Sequence, residues 1–278
     1  MTTQVSIQNT INIRRQQGHD KANLLLQIWL VTWRSLTTIF RTPVALFPPL
    51  AISIFFLVIY ESTLGGAAAF IPNLSGNSYL GFILPLSIVS SSLSGAGIAA
   101  QNMVRDIESG YFDKLLLTPI SRAALLLGPI LAGALILGIQ ASIVIGVALI
   151  MGLESATGFA GLLLVVGLAI LLGTGFAGFT VSAALGSGSA AATQGASFIF
   201  FPLTFLTASF VPLELLDGWL KTAATFNPIT YVLEAMRATL NSGWDAALIW
   251  QGVGACLLLG TAMFALAIFA LRVRTRRS

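Results

Sequence analysis

The 278-residue chain contains five long stretches that carry no Asp, Glu, Lys or Arg. They cover residues 42–60, 62–104, 123–153, 155–213 and 246–271. Because an α-helix rises about 1.5 Å per residue, about 20 apolar residues are enough to cross the hydrocarbon core of a bilayer. Each stretch can hold one such helix, and the fourth is long enough for two. The pattern therefore predicts an all-α, polytopic membrane protein with six transmembrane helices.

Turn-forming residues divide these stretches into individual spans. A loop rich in Gly, Pro and Asn opens the second stretch, and the run from Gly186 to Ser189 predicts a turn within the fourth. The six expected spans are 43–61, 80–103, 123–152, 159–184, 194–211 and 246–271. They define a transmembrane domain over 42–278, preceded by a polar tail over 1–21 that we expect to be cytoplasmic.

Composition excludes several classes of protein. Charged residues make up 9% of the chain and hydrophobic residues 56%, whereas a soluble domain carries about 25% charged residues. This excludes a disordered chain, a nucleic-acid-binding domain and a cytosolic enzyme. The chain has one cysteine and one histidine, which argues against a zinc site and against a Ser-His relay. We therefore predict neither catalytic residues nor metal ligands.

The basic residues predict the orientation of the chain in the membrane. With six spans, twelve of the fourteen Lys and Arg residues fall on one side, and the positive-inside rule makes that side cytoplasmic. We expect both termini there, in a bacterial-type plasma membrane. The twelve residues are Arg14, Arg15, Lys21, Arg34, Arg41, Arg105, Lys114, Arg122, Arg272, Arg274, Arg276 and Arg277.

Three segments between or beside the spans carry more polar patterns. Residues 22–41 place aromatic and leucine side chains at helical spacing, which is typical of an amphipathic helix lying in the cytoplasmic interface. The alternative is an extension of the first span, and Pro43 favours a break instead. The apolar positions of this helix are Leu25, Trp29, Trp33, Leu36 and Phe40.

Residues 105–122 form a charged segment between the second and third spans. It is either a surface on which a cytoplasmic partner docks or a solvated loop whose charges only set topology.

Residues 212–245, after the fifth span, are too polar for a span and too apolar for a free loop. We expect two short helices that dip into the outer leaflet, broken at Asn227 and Pro228, with a surface hairpin as the alternative. Tyr231, Glu234 and Arg237 follow at i, i+3 spacing, so that the two charges can pair.

Together these segments resemble the permease subunit of type 2 ABC exporters, the group that includes daunorubicin-type drug efflux and polysaccharide or lipid export permeases. The resemblance is carried, in order, by ESGYFDKLLLTPI (108–120), PLELLDGW (212–219) and NPITYVLEAMRA (227–238). It implies a fold of six spans and an export function. The substrate expected from an uncharged path is hydrophobic or amphipathic, such as a drug or a lipid. Polysaccharide or glycolipid export by the same class is one alternative, and an ion-coupled secondary transporter is another.

The resemblance also implies partners. Two copies of a separate ABC ATPase would bind ATP and Mg²⁺, since no Lys of this chain stands in a P-loop motif. A second permease copy, identical or similar, would complete the path within the membrane lipid, and no nucleic acid is involved. The segment that would meet the ATPase supplies the expected coupling residues, which are Arg105, Asp106, Glu108, Gly110, Asp113, Lys114 and Pro119.

The same resemblance places the substrate path between the second and fifth spans. In the second span, Ser87, Ser91 and Ser94 share one helical face, where they either line a polar seam or bond to their own helix carbonyls. In the fifth, Phe198, Phe201 and Phe205 either contact substrate or face lipid or core. The expected outer gate consists of Asn227, Pro228, Tyr231, Glu234 and Arg237. Pairs of small residues in the fourth span, among them Gly173 and Gly178, predict close helix packing.

Overall fold

The computed structural model describes residues 23–66, 79–207, 213 and 216–277. The predicted cytoplasmic tail 1–21 lies outside these residues. Within them the chain is helical and has no strand, which confirms the all-α class. The α-helices are α1 (Leu24–Phe40), α2 (Phe47–Leu64), α3 (Tyr79–Glu108), α4 (Tyr111–Leu116), α5 (Arg122–Ile150), α6 (Gly158–Ser187), α7 (Ala190–Ser197), α8 (Phe200–Phe205), α9 (Gly218–Phe226), α10 (Pro228–Arg237) and α11 (Ala246–Arg277).

Four helices of the described chain are long and apolar enough to cross a membrane. They are α3, α5, α6 and α11, and they coincide with the second, third, fourth and sixth predicted spans. Helix α2 occupies the position of the first predicted span but is a shorter apolar helix. The number of six spans therefore stays a prediction.

The region of the fifth predicted span, 194–211, does not form one continuous helix in the structure. The predicted turn before it is confirmed, since α6 ends at Ser187, Gly188 adopts a left-handed conformation (φ 63°) and Ser189 caps α7. Helix α7 ends at Ser197, and a new short helix, α8, begins at Phe200. Residues 208–211 lie outside the described part of the chain.

Helix α3 is the central element of the protomer. Of its most apolar window, 93% is buried within the chain, against 17% for α11. It packs against α2, α5, α6 and α7, whereas α11 packs mainly on α6. The contact between α6 and its neighbours depends on small residues. A Cβ atom at Gly173 would lie 2.4 Å from Leu137 Cδ1 of α5, and one at Gly178 would lie 3.4 Å from the Met263 backbone of α11. The predicted role of small residues in close packing is thus confirmed at Gly173, whereas a Cβ atom at Gly178 would make only an ordinary van der Waals contact.

The N-terminal helix α1 is separate from α2, as Pro43 predicts. Helix α1 ends at Phe40, and the chain passes through a 3₁₀ turn, Pro43–Ala45, before α2 begins. One face of α1 packs on α5, where a Cβ atom at Gly128 would lie 2.3 Å from Val31 Cγ1. The opposite face exposes Leu25, Trp29, Trp33 and Phe40, with the two indole rings stacked at 6.0 Å. This two-faced helix suits the interfacial position, which stays a prediction.

Replacing Gly128 with Leu is expected to detach α1 from α5. The added side chain has to displace Val31 and the backbone of Thr32, whose amide nitrogen would lie 3.2 Å from the new Cβ atom. Overpacking of this kind costs about 1–3 kcal/mol. Limited proteolysis should then cleave α1 faster than in the wild type. Gly146→Leu is the matched control, because Gly146 lies on the same helix with open space around it. Equal cleavage rates in both variants would contradict the close contact.

Candidate coupling surface and outer helix pair

The charged segment between α3 and α5 folds into a short helix at the end of the bundle. Helix α3 continues to Glu108, and the chain then reverses at Gly110, whose φ of 67° is left-handed. Only glycine adopts this conformation without strain, so Gly110 sets the angle between α3 and α4. A second turn follows α4, and Ser121 caps α5 by accepting a hydrogen bond from the Ala124 amide at 3.2 Å.

Helix α4 has one buried side chain and an exposed opposite face. Phe112 is 2% exposed and belongs to a cluster built from α3, α5, α6 and α11. Leu117, just after the helix, is 88% exposed. The neighbouring exposed residues include Arg105 and Glu108 at the end of α3, Asp113 and Lys114 of α4, and Pro119 in the turn after it. We name this set, with Leu117, the coupling surface.

Helix α1 braces the segment through Arg34. Its Nη2 atom donates to Asp106 Oδ1 at 2.5 Å, and its guanidinium lies over the Tyr111 ring, 4.1 Å from the centroid. A second contact joins the Ser121 amide to Gln27 Oε1 at 2.8 Å. Asp106, one of the expected coupling residues, is thus an internal contact and is not fully exposed. Gln27 and Arg34 of α1 therefore hold the coupling segment in place.

At the other end of the bundle, Asn227 organises the break between α9 and α10. Its Oδ1 accepts from the Ile229 amide at 3.0 Å and so caps α10, and Pro228 takes the first helical position. Its Nδ2 donates to the carbonyls of Leu203 and Leu206, at 2.7 and 3.0 Å. Asn227 therefore ties the turn between α9 and α10 to the end of α8.

Arg237 is buried where α10 meets α3. Only 4% of the residue is exposed, and its Nη1 donates to Glu234 Oε1 at 3.0 Å, as the spacing predicted. Its Nε donates to the Phe82 carbonyl at 3.0 Å, and the guanidinium lies 3.7 Å from the centroid of the Phe82 ring. Helix α10 is therefore part of the core, which rules out the surface-hairpin alternative for this helix.

The residues expected to line the substrate path lie in different environments. Ser87 and Ser91 are buried inside the protomer, and Ser91 donates to the Ile88 carbonyl at 2.8 Å, as the alternative interpretation of the serines expected. Phe198 and Phe205 are 64% and 49% exposed. The side chains of Ser94 and Phe201 lie outside what the structure describes. Among the four described side chains, the two serines are buried and the two phenylalanines are exposed, so they do not share one surface. The role of all six residues in transport stays a prediction.

One polar contact within the apolar helices was missed by the sequence interpretation. Gln101 Nε2 of α3 donates to Gln194 Oε1 of α7 at 3.4 Å, and Gln194 is exposed. A glutamine inside each of two predicted spans was the available signal, because such side chains in a membrane usually face a partner helix or a cavity.

Comparison with known proteins places the chain. The sequence profile of the ABC-2 type transporter family matches residues 26–241, which run from the first turn of α1 past the end of α10. The chain belongs to this family. As an ABC-2 permease it is a multi-pass membrane subunit without an enzymatic site of its own, and ATP hydrolysis belongs to a separate ABC ATPase subunit.

Several curated relatives of this ABC-2 permease carry names from drug resistance. A probable doxorubicin resistance ABC transporter permease protein, DrrC, of Mycobacterium tuberculosis is 25% identical over 78% of each chain. The daunorubicin resistance ABC transporter permease protein DrrB1 of Streptomyces coeruleorubidus is 28% identical over 78% of this chain and 77% of its own. A putative transport permease, ycf38, of Cyanophora paradoxa is 22% identical over 89% and 81%.

Proposed function

We propose that this ABC-2 permease exports a hydrophobic or amphipathic compound, drug-like or lipid-like, at the expense of ATP hydrolysed by its partner. Two permease copies and two ATPase subunits form the working assembly, and the ATPases hold ATP and Mg²⁺. Both termini and α4 face the cytoplasm. Substrate moves by alternating access between inward-open and outward-open arrangements.

The observation that carries this proposal is the two-sided structure of α4. Its solvent-exposed face belongs to the coupling surface, which combines charges of both signs with the exposed side chain of Leu117. Such a surface fits a protein partner better than water. The inner side of α4 inserts Phe112 among four long helices. A partner that pushes on the coupling surface therefore moves a side chain embedded in the core of the membrane domain.

The expected substrate class rests on the aromatic and amide side chains near α7 and α8. Phe198 and Phe205 present exposed rings, and the Gln101–Gln194 pair adds hydrogen-bonding groups on the neighbouring surface. Such a combination suits a compound with a flat apolar part and a few polar groups. Drug-resistance names among the relatives support the same class. Transport assays with a panel of compounds that includes a glycolipid distinguish this substrate class from polysaccharide or glycolipid export. Preference for the glycolipid would favour the alternative.

Charge reversal on the coupling surface tests the proposal. Glu108→Lys and Asp113→Lys are expected to lower ATP-driven transport at least fivefold, because like charges brought together at an interface with the ATPase repel each other and weaken docking. Both side chains are exposed, so thermal stability should stay unchanged. The measurement is transport and ATP hydrolysis by the purified complex in vesicles.

The matched control is Glu154→Lys, which reverses an exposed acid in the turn between α5 and α6, at the opposite end of α5 from α4. It should transport like the wild type. Undiminished transport in both coupling-surface variants would contradict a docking role for this face.

A further inference from the structure

The last turns of α11 bring Arg274 to the inner side of the coupling segment. Its Nη1 donates to the carbonyl of Leu185 at 3.1 Å, and its guanidinium lies 5.9 Å from the centroid of the Phe112 ring. Arg274 thus contacts α6 and α4 from α11. A positive charge near the carboxyl end of α6 also interacts favourably with the negative end of that helix dipole.

The carbonyl of Leu185 is one that α6 cannot satisfy itself. The last four carbonyls of a helix have no amide partner within it. The Gly188 amide closes the helix on Ala184 at 2.8 Å, and Arg274 takes the next carbonyl. A Cβ atom at Gly188 would lie 3.4 Å from Arg274 Nη1, an ordinary contact distance, so the arginine packs directly against this turn. Arg274 therefore caps the carboxyl end of α6.

Phe112 ties the same arginine to the coupling helix. Its ring is buried between α3 and the ends of α6 and α11, beside Met103, Leu185 and Leu271. Arg274 lies at the edge of this cluster, where the attraction between its guanidinium and the aromatic face favours the observed position of the ring. On the other flank Arg34 holds Tyr111 and Asp106. One arginine of α1 and one of α11 thus contact the segment around α4 from two sides.

We propose that Arg274 is a positioning residue that transmits movement of α4 to α6 and α11, which makes the C-terminal helix a working part of the coupling mechanism. The inference rests on the proposed function, in that α4 receives the push of the ATPase. Arg34 holds the outer flank of α4 to the interfacial helix, whereas Arg274 joins its buried side chain to two long helices. Without Arg274, α4 can shift while α6 and α11 stay behind.

The test compares Arg274→Gln with Arg272→Gln in the full permease reconstituted with its ATPase. Arg272 is exposed on the same helix, so the control removes the same charge without touching α4 or α6. For Arg274→Gln we expect substrate transported per ATP hydrolysed to fall about fivefold, the size of a modest coupling free energy. Arg272→Gln should keep the wild-type ratio. Arg274→Lys should be intermediate, because its ammonium reaches the carbonyl but lacks the planar group over the ring.

Amide hydrogen exchange of the permease alone gives a readout that does not depend on transport. In Arg274→Gln the amides of residues 111–117 should exchange about tenfold faster, since α4 loses an anchor and opens locally. Arg272→Gln should exchange like the wild type. Unchanged exchange, or transport and hydrolysis that fall together with an unchanged ratio, overturns the inference. Absence of ATP-driven transport in the wild type would refute the proposed function and leave the exchange result to decide the role of Arg274 as an anchor.

Discussion

Replacing Arg237 with Met is expected to destabilise the protein by about 3 kcal/mol. The change removes the ion pair with Glu234, the hydrogen bond to the Phe82 carbonyl and the contact with the Phe82 ring. Breaking a buried pair costs about 3–5 kcal/mol, because the remaining charge has lost its partner. The lower value applies here, since the Glu234 side chain is still 27% exposed.

At about 2–4 °C per kcal/mol for a chain of this size, the melting temperature should fall by roughly 6–12 °C. Thermal unfolding of the purified protein in detergent measures this. A double variant, Arg237→Met with Glu234→Gln, should regain at least half of the loss, because the unpaired charge is gone. Arg272→Met, on the exposed side of α11, is the control and should melt like the wild type. A single Arg237 variant that melts like this control would show that the pair does not anchor α10.

Replacing Phe112 with Ala should release the coupling helix from the bundle. The ring is 2% exposed, and truncating a buried phenylalanine costs about 3–5 kcal/mol. The coupling surface itself keeps all of its side chains. We therefore expect the variant still to bind the ATPase, but with a lowered melting temperature and at least a tenfold loss of ATP-driven transport, since the push no longer reaches the long helices.

Leu117→Ala supplies the opposite pattern. Leu117 is 88% exposed, so its truncation should leave the melting temperature unchanged. If it lies under the ATPase, binding of the partner should weaken instead, which co-purification measures. Stability loss in Leu117→Ala, or weakened partner binding with normal stability in Phe112→Ala, would reverse the roles assigned to the two sides of α4.

The sequence was sufficient to predict those features that depend on local chemistry. Scarcity of charge predicted the apolar helices, and Pro43, Gly188 and Pro228 lie at the breaks where backbone geometry requires them. The pairing of Glu234 with Arg237 followed from helical spacing alone. The family resemblance, built on three short motifs, agrees with the match of the ABC-2 family over 26–241.

Contacts between distant segments were beyond the reach of such patterns. Arg34 and Arg274 looked like topology-setting charges, yet one binds Asp106 and the other binds the end of α6. The shared helical face of Ser87 and Ser91 was compatible with lining a path or with packing inside the protein. The two serines are buried because α3 lies at the centre of the helices. Tertiary packing decides which face of a nearly uniform apolar helix points inward, because its periodicity carries little information.

The sequence pattern also failed to predict the break in the helix near Phe198. An uncharged run predicted a continuous fifth span, but α7 ends at Ser197 and a separate short helix follows. Asn227 holds the end of that short helix by two hydrogen bonds from its amide group, so the irregular backbone there is satisfied by a side chain 21–24 residues away.

Export through this permease is proposed to be driven by ATP that a partner subunit hydrolyses. Uptake of an amphipathic fluorescent compound into inside-out vesicles that contain the permease and its ATPase tests this coupling without any variant. We expect uptake that requires ATP, stops with vanadate and persists when ionophores collapse the proton and sodium gradients. Uptake that follows an ion gradient and ignores vanadate would contradict ATP-driven export and identify a secondary transporter instead.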